Sequence, residues 1–390
     1  MNTFLLMFFL IYGSVHVYAF VRVRQAFLLG SGAGALLAIL FVLMILAPVV
    51  VRVTEREGFD LAARVIAYLG YTWMGFLFLY FSASLVFDCY LLGLKLFGMV
   101  SSTDTRWLTP SPRTAFIGPL LYAFFAAAYG YFEAQAIRTK RVVVESPKVP
   151  VETKFTVAQV SDVHIGLIVR RNRLSRIAEA VRQANPDLVV STGDLVDGQL
   201  DDIGRMSDQF IELHPRFGMF AVTGNHEYYA GLGQSLNFTN RAGFRVLRDE
   251  ILPVTDWLSV AGVDDPAGGG WKRHGLSSIE EKILGSLPRE RFVLLLKHRP
   301  AITDQRLGRC DLQLSGHVHK GQMFPFNLVT YLFYPVRTGL SRLTGGGFLY
   351  VSRGTGTWGP PIRFLAPPEV TLFELVHGEH SAVNLTGWRG

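Results

Sequence analysis

Apolar residues are distributed very unevenly along this chain of 390 residues. Residues 1–134 hold four long and almost continuously apolar stretches, whereas residues 135–390 alternate short apolar runs with polar ones. The four stretches run roughly over 3–21, 27–51, 65–87 and 114–132. A bilayer crossing takes about 20 apolar residues, and a soluble amphipathic helix would keep a polar face. The pattern therefore predicts a membrane segment of about four helices.

The first stretch alone could also be a cleaved signal peptide, but it lacks the basic start of such a peptide. With four spans, both ends of the chain lie on one side of the membrane. Six Lys and Arg residues in short loops fall on that side and five on the other, so the positive-inside rule does not decide the orientation. We predict a multi-pass integral protein of the cell or inner membrane, with the face of its soluble part undecided.

Composition and charge narrow the possible partners. The net charge is +7, but there is no Lys/Arg run with interleaved aromatic residues. The charge therefore favours a membrane surface over nucleic acid, and we predict no nucleic-acid partner. Cys89 lies in an apolar stretch and Cys310 in the soluble part, so the fold is not expected to depend on a disulfide. The oligomeric state is left open.

The soluble part alternates strand-like and helix-like segments. Leu174, Ile177, Ala178 and Val181 follow helical spacing between two β-rich runs. This order predicts an α/β domain with a site at the carboxyl edge of its sheet. We predict a transmembrane domain over 1–134, a linker over 135–152, a catalytic domain over 153–378 and a C-terminal tail over 379–390.

Residues that can bind a divalent metal follow most of the apolar runs. They are Asp162, His164, Asp194, Asn225, His226, His298, His317 and His319. Imidazole and carboxylate suit Mn, Fe, Zn or Ni, and the absence of cysteine argues against a structural zinc site. Eight donors are too many for one ion and suit two ions that share a bridging carboxylate, the usual arrangement for displacement at phosphorus. Gly193, Gly224 and Gly316 are expected to let the backbone turn sharply and approach a bulky anion.

The motifs "DVH", "GDLVD", "GNHE", "KH" and "GHVH", in this order over about 155–375, resemble the signature of the calcineurin-like metallophosphoesterases. "AGVDDP" and the segment "VSRGTGTWGPPIRFLAPPEVTLFEL" resemble the membrane-associated branch of that family, which includes transmembrane metallophosphoesterases. That branch is related to enzymes that cleave the pyrophosphate of UDP-2,3-diacylglucosamine. The resemblance implies a four-layer αββα sandwich, two divalent metal ions and in-line attack on phosphorus by activated water.

The resemblance also implies a role for each matching residue. Asp162, His164 and His319 hold one metal, Asp194 bridges, and Asn225, His298 and His317 hold the second. His226 binds the phosphoryl group or protonates the leaving oxygen. Asp197 and Glu227 are expected to support the ligands. Lys320 departs from the family pattern, which often has glycine there, and this puts the substrate pocket in doubt.

Two further segments have competing interpretations. "GTGTWG" (354–359) matches a dinucleotide-binding pattern, but two prolines follow directly, so we expect a rigid loop at the rim of the metal site. Arg353 and Arg363 are candidates to bind a substrate phosphate, with a surface salt bridge as the alternative. The apolar stretch 323–335 is either a core element or a surface that contacts lipid or acyl chains.

The sequence as a whole predicts a membrane-anchored dinuclear-metal phosphohydrolase. The expected substrate is a lipid-linked or membrane-proximal phosphoester or pyrophosphate, with UDP-2,3-diacylglucosamine as the most specific candidate. The alternatives are a phosphodiesterase or phosphatase that acts on soluble substrates, and a non-catalytic metal-bound scaffold or sensor.

Overall fold

Four long helices come first in the chain, and strands mixed with short helices follow. The computed structural model describes residues 2–198, 206–268, 283, 285–286, 290–300, 310–336, 338–343 and 346–389. They group into two compact units. A helical unit comprises Met1–Phe132 and Gly359–Phe364, and an α/β unit comprises Glu133–Trp358 and Leu365–Gly390.

The helical unit contains α1 (Asn2–Phe27), α2 (Ser31–Arg56), α3 (Asp60–Ser101) and α4 (Pro112–Glu133). All four are long and apolar enough to cross a membrane, as the hydropathy pattern predicts. The third helix continues through its 42 residues, or roughly 63 Å at 1.5 Å per residue, so the described chain has one helix rather than two over this stretch.

Close packing within the helical unit depends on small residues and rings. A Cβ on Gly70 of α3 would lie 2.7 Å from the Cβ of Ala47 in α2, so only glycine allows this approach. The segment Gly359–Phe364 belongs to this unit because Phe364 packs its ring against those of Tyr122 and Tyr129 in α4.

The α/β unit contains thirteen described strands and five described helices. The strands are β1 (Arg138–Ser146), β2 (Lys154–Val160), β3 (Leu188–Ser191), β4 (Met219–Ala221), β5 (Phe244–Val246), β6 (Glu250–Pro253), β7 (Leu258–Val263), β8 (Phe292–Lys297), β9 (Leu312–Ser315), β10 (Gly339–Arg342), β11 (Phe348–Val351), β12 (Glu369–His377) and β13 (Ala382–Arg389). The helices are α5 (Arg171–Ala184), α6 (Asp208–Ile211), α7 (Asn225–Ala230), α8 (Leu232–Arg241) and α9 (Phe326–Phe333).

The strands form two mixed sheets. One has seven strands in the order β13-β1-β12-β2-β3-β4-β5, and the other has six in the order β10-β11-β9-β8-β7-β6. Within them, β2 to β5 run parallel, and so do β7, β8, β9 and β11. Parallel neighbours bring their carboxyl ends to one edge of the sheet, which the sequence pattern predicts for the ligand-bearing strands.

The two sheets pack face to face around a shared core. Val157 and Val190 of the larger sheet and Leu294 and Leu312 of the smaller sheet lie in one buried cluster. Intervening residues such as Val189 face the other side, where α5 covers the larger sheet through the predicted residues Leu174, Ile177, Ala178 and Val181. This period of two is what a strand buried on both faces requires.

Both ends of the α/β unit extend beyond the predicted domain limits. Strand β1 lies in the stretch predicted to be a linker, and β13 lies in the predicted tail. The two strands pair with each other, and β1 also pairs with β12, so both belong to the larger sheet. Alternation in "RTKRVVVES" signals this strand, although its charges made it resemble a junction.

Candidate metal centre

The predicted metal ligands follow five parallel strands of the two sheets. Asp162 and His164 follow β2, Asp194 follows β3, and Asn225 begins α7 after β4. In the smaller sheet, His298 follows β8, and His317 and His319 follow β9. The five segments converge, and His164 contacts His319 although the two residues lie 155 positions apart in sequence.

Five of these residues have a left-handed backbone conformation. They are Asp162 (φ 52°), His164 (φ 55°), Asp194 (φ 52°), His317 (φ 72°) and His319 (φ 48°). This conformation costs a non-glycine residue roughly 1–3 kcal/mol, and such strain concentrates at functional sites. Glycine would relieve this strain, but it would also remove the side chain. The presence of Asp and His at these positions therefore indicates that their side chains are needed.

One group of donors consists of Asp162, His164 and His319. The Nε2 atoms of His164 and His319 lie 3.0 Å apart, and Nε2 of His319 lies 3.5 Å from Oδ1 of Asp162. Asp162 is fully buried and is held from two sides, because it accepts hydrogen bonds from Ser161 Oγ (2.6 Å) and from the backbone N–H of His317 (2.8 Å).

A second group consists of Asp194, His298 and His317. Nε2 of His298 lies 3.2 Å from Oδ2 of Asp194 and 3.2 Å from Nδ1 of His317. Oδ2 of Asp194 also lies 3.8 Å from Nε2 of His164. Asp194 is therefore the carboxylate that touches both groups.

Burial and neighbouring charges shift the pKa values of the two histidines in the second group. Burial lowers the pKa of His298, but the nearby Asp194 outweighs it and raises this pKa to about 10. Burial and the positive charge of His298 lower the pKa of His317 to about 3. Opposite pKa shifts in a buried histidine and in the half-buried histidine that it contacts are typical of a functional site.

Asn225 adds a further candidate metal ligand to this edge. Its side chain is buried, and its Oδ1 has no hydrogen-bond partner among the described residues. An unpaired buried carbonyl oxygen costs roughly 1–3 kcal/mol. A cation would satisfy it, so the residue fits its predicted role as a ligand.

Glu227 supports the loop that carries Asp194. Its buried carboxylate accepts hydrogen bonds from the backbone N–H groups of Asp194 (3.0 Å), Leu195 (2.8 Å), Val196 (3.3 Å) and Gly224 (2.6 Å). These bonds tie the β3 loop to the β4 loop. The supporting role expected of Glu227 agrees with this geometry.

Two glycines allow the ligand loops to approach each other. A Cβ on Gly224 would lie 2.2 Å from Oδ1 of Asp194, and one on Gly316 would lie 2.3 Å from Oδ2 of Asp162. The sequence suggested that these glycines make room for an anion. In the structure they make room for a neighbouring ligand.

His226 lies beside the first group. Its Nδ1 donates to Oδ1 of Asp197 (2.7 Å), and its ring contacts those of His164 and Trp358, with centroids 4.6 and 5.9 Å away. Burial lowers the pKa of His226, but Asp194 and Asp197 outweigh it and raise this pKa to about 9. One His226 nitrogen also lies within 4.8 Å of donor atoms of His164 and Asp194.

Three arginines differ in how well they suit a substrate anion. Arg353 lies 3.6 Å from the buried carboxylate of Glu369, and Arg363 is fully buried. The burial of Arg363 argues against its predicted contact with a substrate. Arg299, which lies outside the sequence motifs, directly follows His298 and donates two hydrogen bonds to Asp265 (2.9 and 3.1 Å).

The predicted residues that come together are chemically suited to divalent metal ions. Seven carboxylate and imidazole residues, His226 among them, converge from five segments, and among the described residues the Oδ1 of Asn225 has no hydrogen-bond partner. Nitrogen and oxygen donors of this kind suit Mn, Fe, Zn or Ni. The structure thus contains candidate metal-binding clusters where the sequence predicts them.

Comparison with known proteins agrees with this chemistry. Residues 155–321 match the family model described as calcineurin-like phosphoesterase. An uncharacterized metallophosphoesterase of Aquifex aeolicus is 38% identical over 256 residues, which cover 65% of this chain and 97% of the relative. One of Campylobacter jejuni is 28% identical over 376 residues, which cover 94% and 96%.

A relative from an animal is named for a transmembrane part and a metallophosphoesterase domain. The Danio rerio protein called transmembrane protein with metallophosphoesterase domain is 33% identical over 265 residues, which cover 65% of this chain and 60% of the relative. The converging donors, the family match and these relatives establish that the chain belongs to the calcineurin-like phosphoesterase family and is a metal-dependent phosphoester hydrolase.

Proposed function

We propose that the protein is a membrane-anchored phosphohydrolase whose edge site binds two divalent cations. Asp162, His164 and His319 would hold one cation, Asn225, His298 and His317 the other, and Asp194 would contact both. The observation that carries this proposal is the position of Asp194, whose Oδ2 lies between Nε2 of His298 (3.2 Å) and Nε2 of His164 (3.8 Å).

The cations would supply Lewis-acid activation of water and neutralise charge on the phosphate oxygens. The chain supplies the proton and the positioning. Asp197 holds His226 through Nδ1, and the carboxylates of Asp194 and Asp197 raise the pKa of this imidazole. His226 can then donate a proton from its other nitrogen to a phosphoryl or leaving oxygen, as a general acid held in place does.

We propose Arg299 as a further contact for the substrate anion, ahead of Arg353 and Arg363. Its side chain is about one-quarter exposed, at 25%, so that solvent can reach it. Its positive charge also contributes to the low pKa of His317, which indicates that the guanidinium lies near the second ligand group. Asp265 holds it in place, as a preorganised phosphate clamp requires.

We propose further that the four long helices cross the bilayer and that the substrate is lipid-linked or membrane-proximal. The support is the four apolar helices, together with the named transmembrane relative. A phosphoester or pyrophosphate with a lipid anchor fits this arrangement, and UDP-2,3-diacylglucosamine is the specific compound to test first.

The test of the metal site is metal analysis and turnover of an aryl phosphodiester by purified full-length protein supplied with Mn, Fe, Zn or Ni. We expect two bound metals and turnover that disappears in Asp194→Ala. Asp208→Ala, which changes an exposed carboxylate in α6, is the matched control. Full turnover by Asp194→Ala would contradict the bridging role.

The substrate class is tested by comparing lipid-linked with soluble phosphoesters in the same preparation. We expect preference for UDP-2,3-diacylglucosamine or another lipid pyrophosphate. A higher kcat/KM on soluble diesters or monoesters would favour the alternative, a phosphodiesterase or phosphatase with soluble substrates. Bound metal without turnover of either class would favour a scaffold or sensor.

A further inference from the structure

Helix α9 presents an apolar surface in the α/β unit. It has no buried residue, and Leu328, Leu332 and Phe333 are 61%, 80% and 76% exposed. Residues 323–335 contain no charged side chain. The sequence left a core element as one interpretation of this stretch, and the exposure rules it out. A continuous exposed apolar surface of this kind marks an interaction site.

Both ends of α9 are fixed next to metal-ligand candidates. At its start, a Cβ on Gly321 would lie 2.3 Å from the backbone nitrogen of Asn327, so the helix packs directly on the turn that carries His319. Just past its end, the ring of Tyr334 contacts that of His317, with centroids 5.0 Å apart. The helix is therefore a fixed part of the edge of the site.

Trp358, an exposed aromatic residue, is hydrogen-bonded to Gln322, which directly precedes the apolar stretch 323–335. Trp358 is 48% exposed, and its backbone exchanges two hydrogen bonds with the side chain of Gln322, of 2.8 and 2.9 Å. The Trp358 ring also contacts His226. Exposed apolar groups therefore lie beside His226 as well as beside His317.

The connectivity of the chain indicates what covers this surface. Trp358 directly precedes Gly359–Phe364, which packs within the unit of long apolar helices. In addition, α4 ends at Glu133 and β1 begins at Arg138, so at most roughly 17 Å of extended chain joins the last apolar helix to the larger sheet. The α/β unit is thus tied by a short connection to helices that are apolar enough to enter a bilayer.

We propose that α9 and Trp358 insert into the bilayer interface and set the metal centre at the depth of lipid headgroups. The occupant is lipid rather than another protein, because an uncharged helix offers a protein partner no ion pair, whereas binding to a bilayer interface grows with the apolar area that is buried. The contact itself is independent of catalysis. Its consequence, that the substrate phosphate is taken from the membrane, rests on the proposed phosphohydrolase function.

The test places a nitroxide label at Leu332→Cys in full-length protein that also carries Cys89→Ser and Cys310→Ala. The protein is reconstituted in nanodiscs of phosphatidylcholine and phosphatidylglycerol, and collisions with oxygen and with a water-soluble nickel chelate are compared. The control label is Val151→Cys, which is 70% exposed in the turn between β1 and β2. This turn is separated by the length of β1, about 30 Å, from the short connection between α4 and β1.

We expect the label at 332 to be reached by oxygen and shielded from the chelate, and the label at 151 to show the reverse. Chelate access at 332 equal to that at 151 would overturn the proposal. Protection of 332 from both reagents would also overturn it, in favour of a protein partner or a second copy. Turnover of a soluble aryl phosphodiester is measured in parallel, so loss of the proposed function and loss of the membrane contact are seen separately.

Discussion

Buried histidines occur in both units, and their surroundings differ in kind. In α1, His16 is 1% exposed, and both its nitrogens have complementary partners. Nδ1 donates to the carbonyl oxygen of Tyr12 (2.8 Å), and Nε2 accepts from Nε1–H of Trp73 (2.9 Å). At the sheet edge, Nε2 of His164 faces Nε2 of His319, which is the same kind of atom.

The difference shows how a structural polar group is distinguished from a ligand. A donor opposite an acceptor satisfies both groups, so His16 needs nothing further. Two imidazole nitrogens opposite each other can share only one proton, and the neighbouring Asp162 and Asp194 add further acceptors. Burial alone is equal in the two places. Convergence of like groups is what indicates an ion.

The largest expected effect tests this convergence directly. His319→Gln removes one donor from the first group, so we expect turnover of an aryl phosphodiester to fall on the order of a thousandfold. The metal-free protein should keep its stability within about 1 kcal/mol, because like groups that face each other without an ion contribute little to folding. Turnover and thermal unfolding with and without metal measure both.

The control for this change is His377→Gln. His377 is a histidine outside the site, and its Nδ1 bonds to the carbonyl oxygen of Val149 (2.7 Å). It should keep full turnover. A large loss of metal-free stability in His319→Gln would instead mean that the histidine is a structural residue like His16.

Substitution of Glu227 is expected to have the next largest effect, and this effect is on stability rather than on turnover. Its carboxylate is complementary to four backbone N–H groups, so it resembles His16 more than its neighbours at the site. Glu227→Gln turns an amide N–H₂ towards some of these donors and should lower the free energy of unfolding by about 2–3 kcal/mol, with or without metal. Glu212→Gln, at an exposed carboxylate, should be neutral.

Trp73→Phe tests the complementary pair in the helical unit. It removes the N–H that His16 accepts and should cost about 1 kcal/mol, the usual size of a hydrogen bond between membrane helices. The measurement is the apparent melting temperature in detergent by circular dichroism. Trp107→Phe, at a highly exposed tryptophan, is the control. Equal melting temperatures for the two variants would mean that His16 does not depend on this bond.

Much of the architecture could be predicted because its signals are local. Four apolar stretches specify the long helices, and short continuous apolar runs such as "RFVLLLKH" indicate strands buried on both faces. The candidate ligands follow from the same logic, since donors placed after parallel strands meet at one edge. The position of β1 could not be predicted, because its partner strands β12 and β13 lie more than 230 residues along the chain.

Other features depend on contacts that no sequence pattern carries. The structural role of His16 depends on Trp73, which lies 57 residues away on α3. The position of Arg299 depends on Asp265, although an arginine directly after a ligand histidine was a signal that could have been used. Helix α9 could not be assigned to core or surface, since its apolar composition fits both until the packing of its faces is known.

The smallest predicted effect is on stability and concerns Lys320, where glycine was expected from the family resemblance. Its backbone is left-handed (φ 53°, ψ 29°), the conformation in which glycine is favoured, and its Nζ donates to the carbonyl oxygen of Leu365 (2.9 Å). Lys320→Gly and Lys320→Ala both lose that bond, but only glycine relieves the backbone. The glycine variant should therefore unfold with a free energy about 1 kcal/mol higher than the alanine variant, with metal binding equal in both. Equal stability of the two variants would show that the turn after His319 relaxes without cost, and the lysine would then be explained by its contact with Leu365 alone.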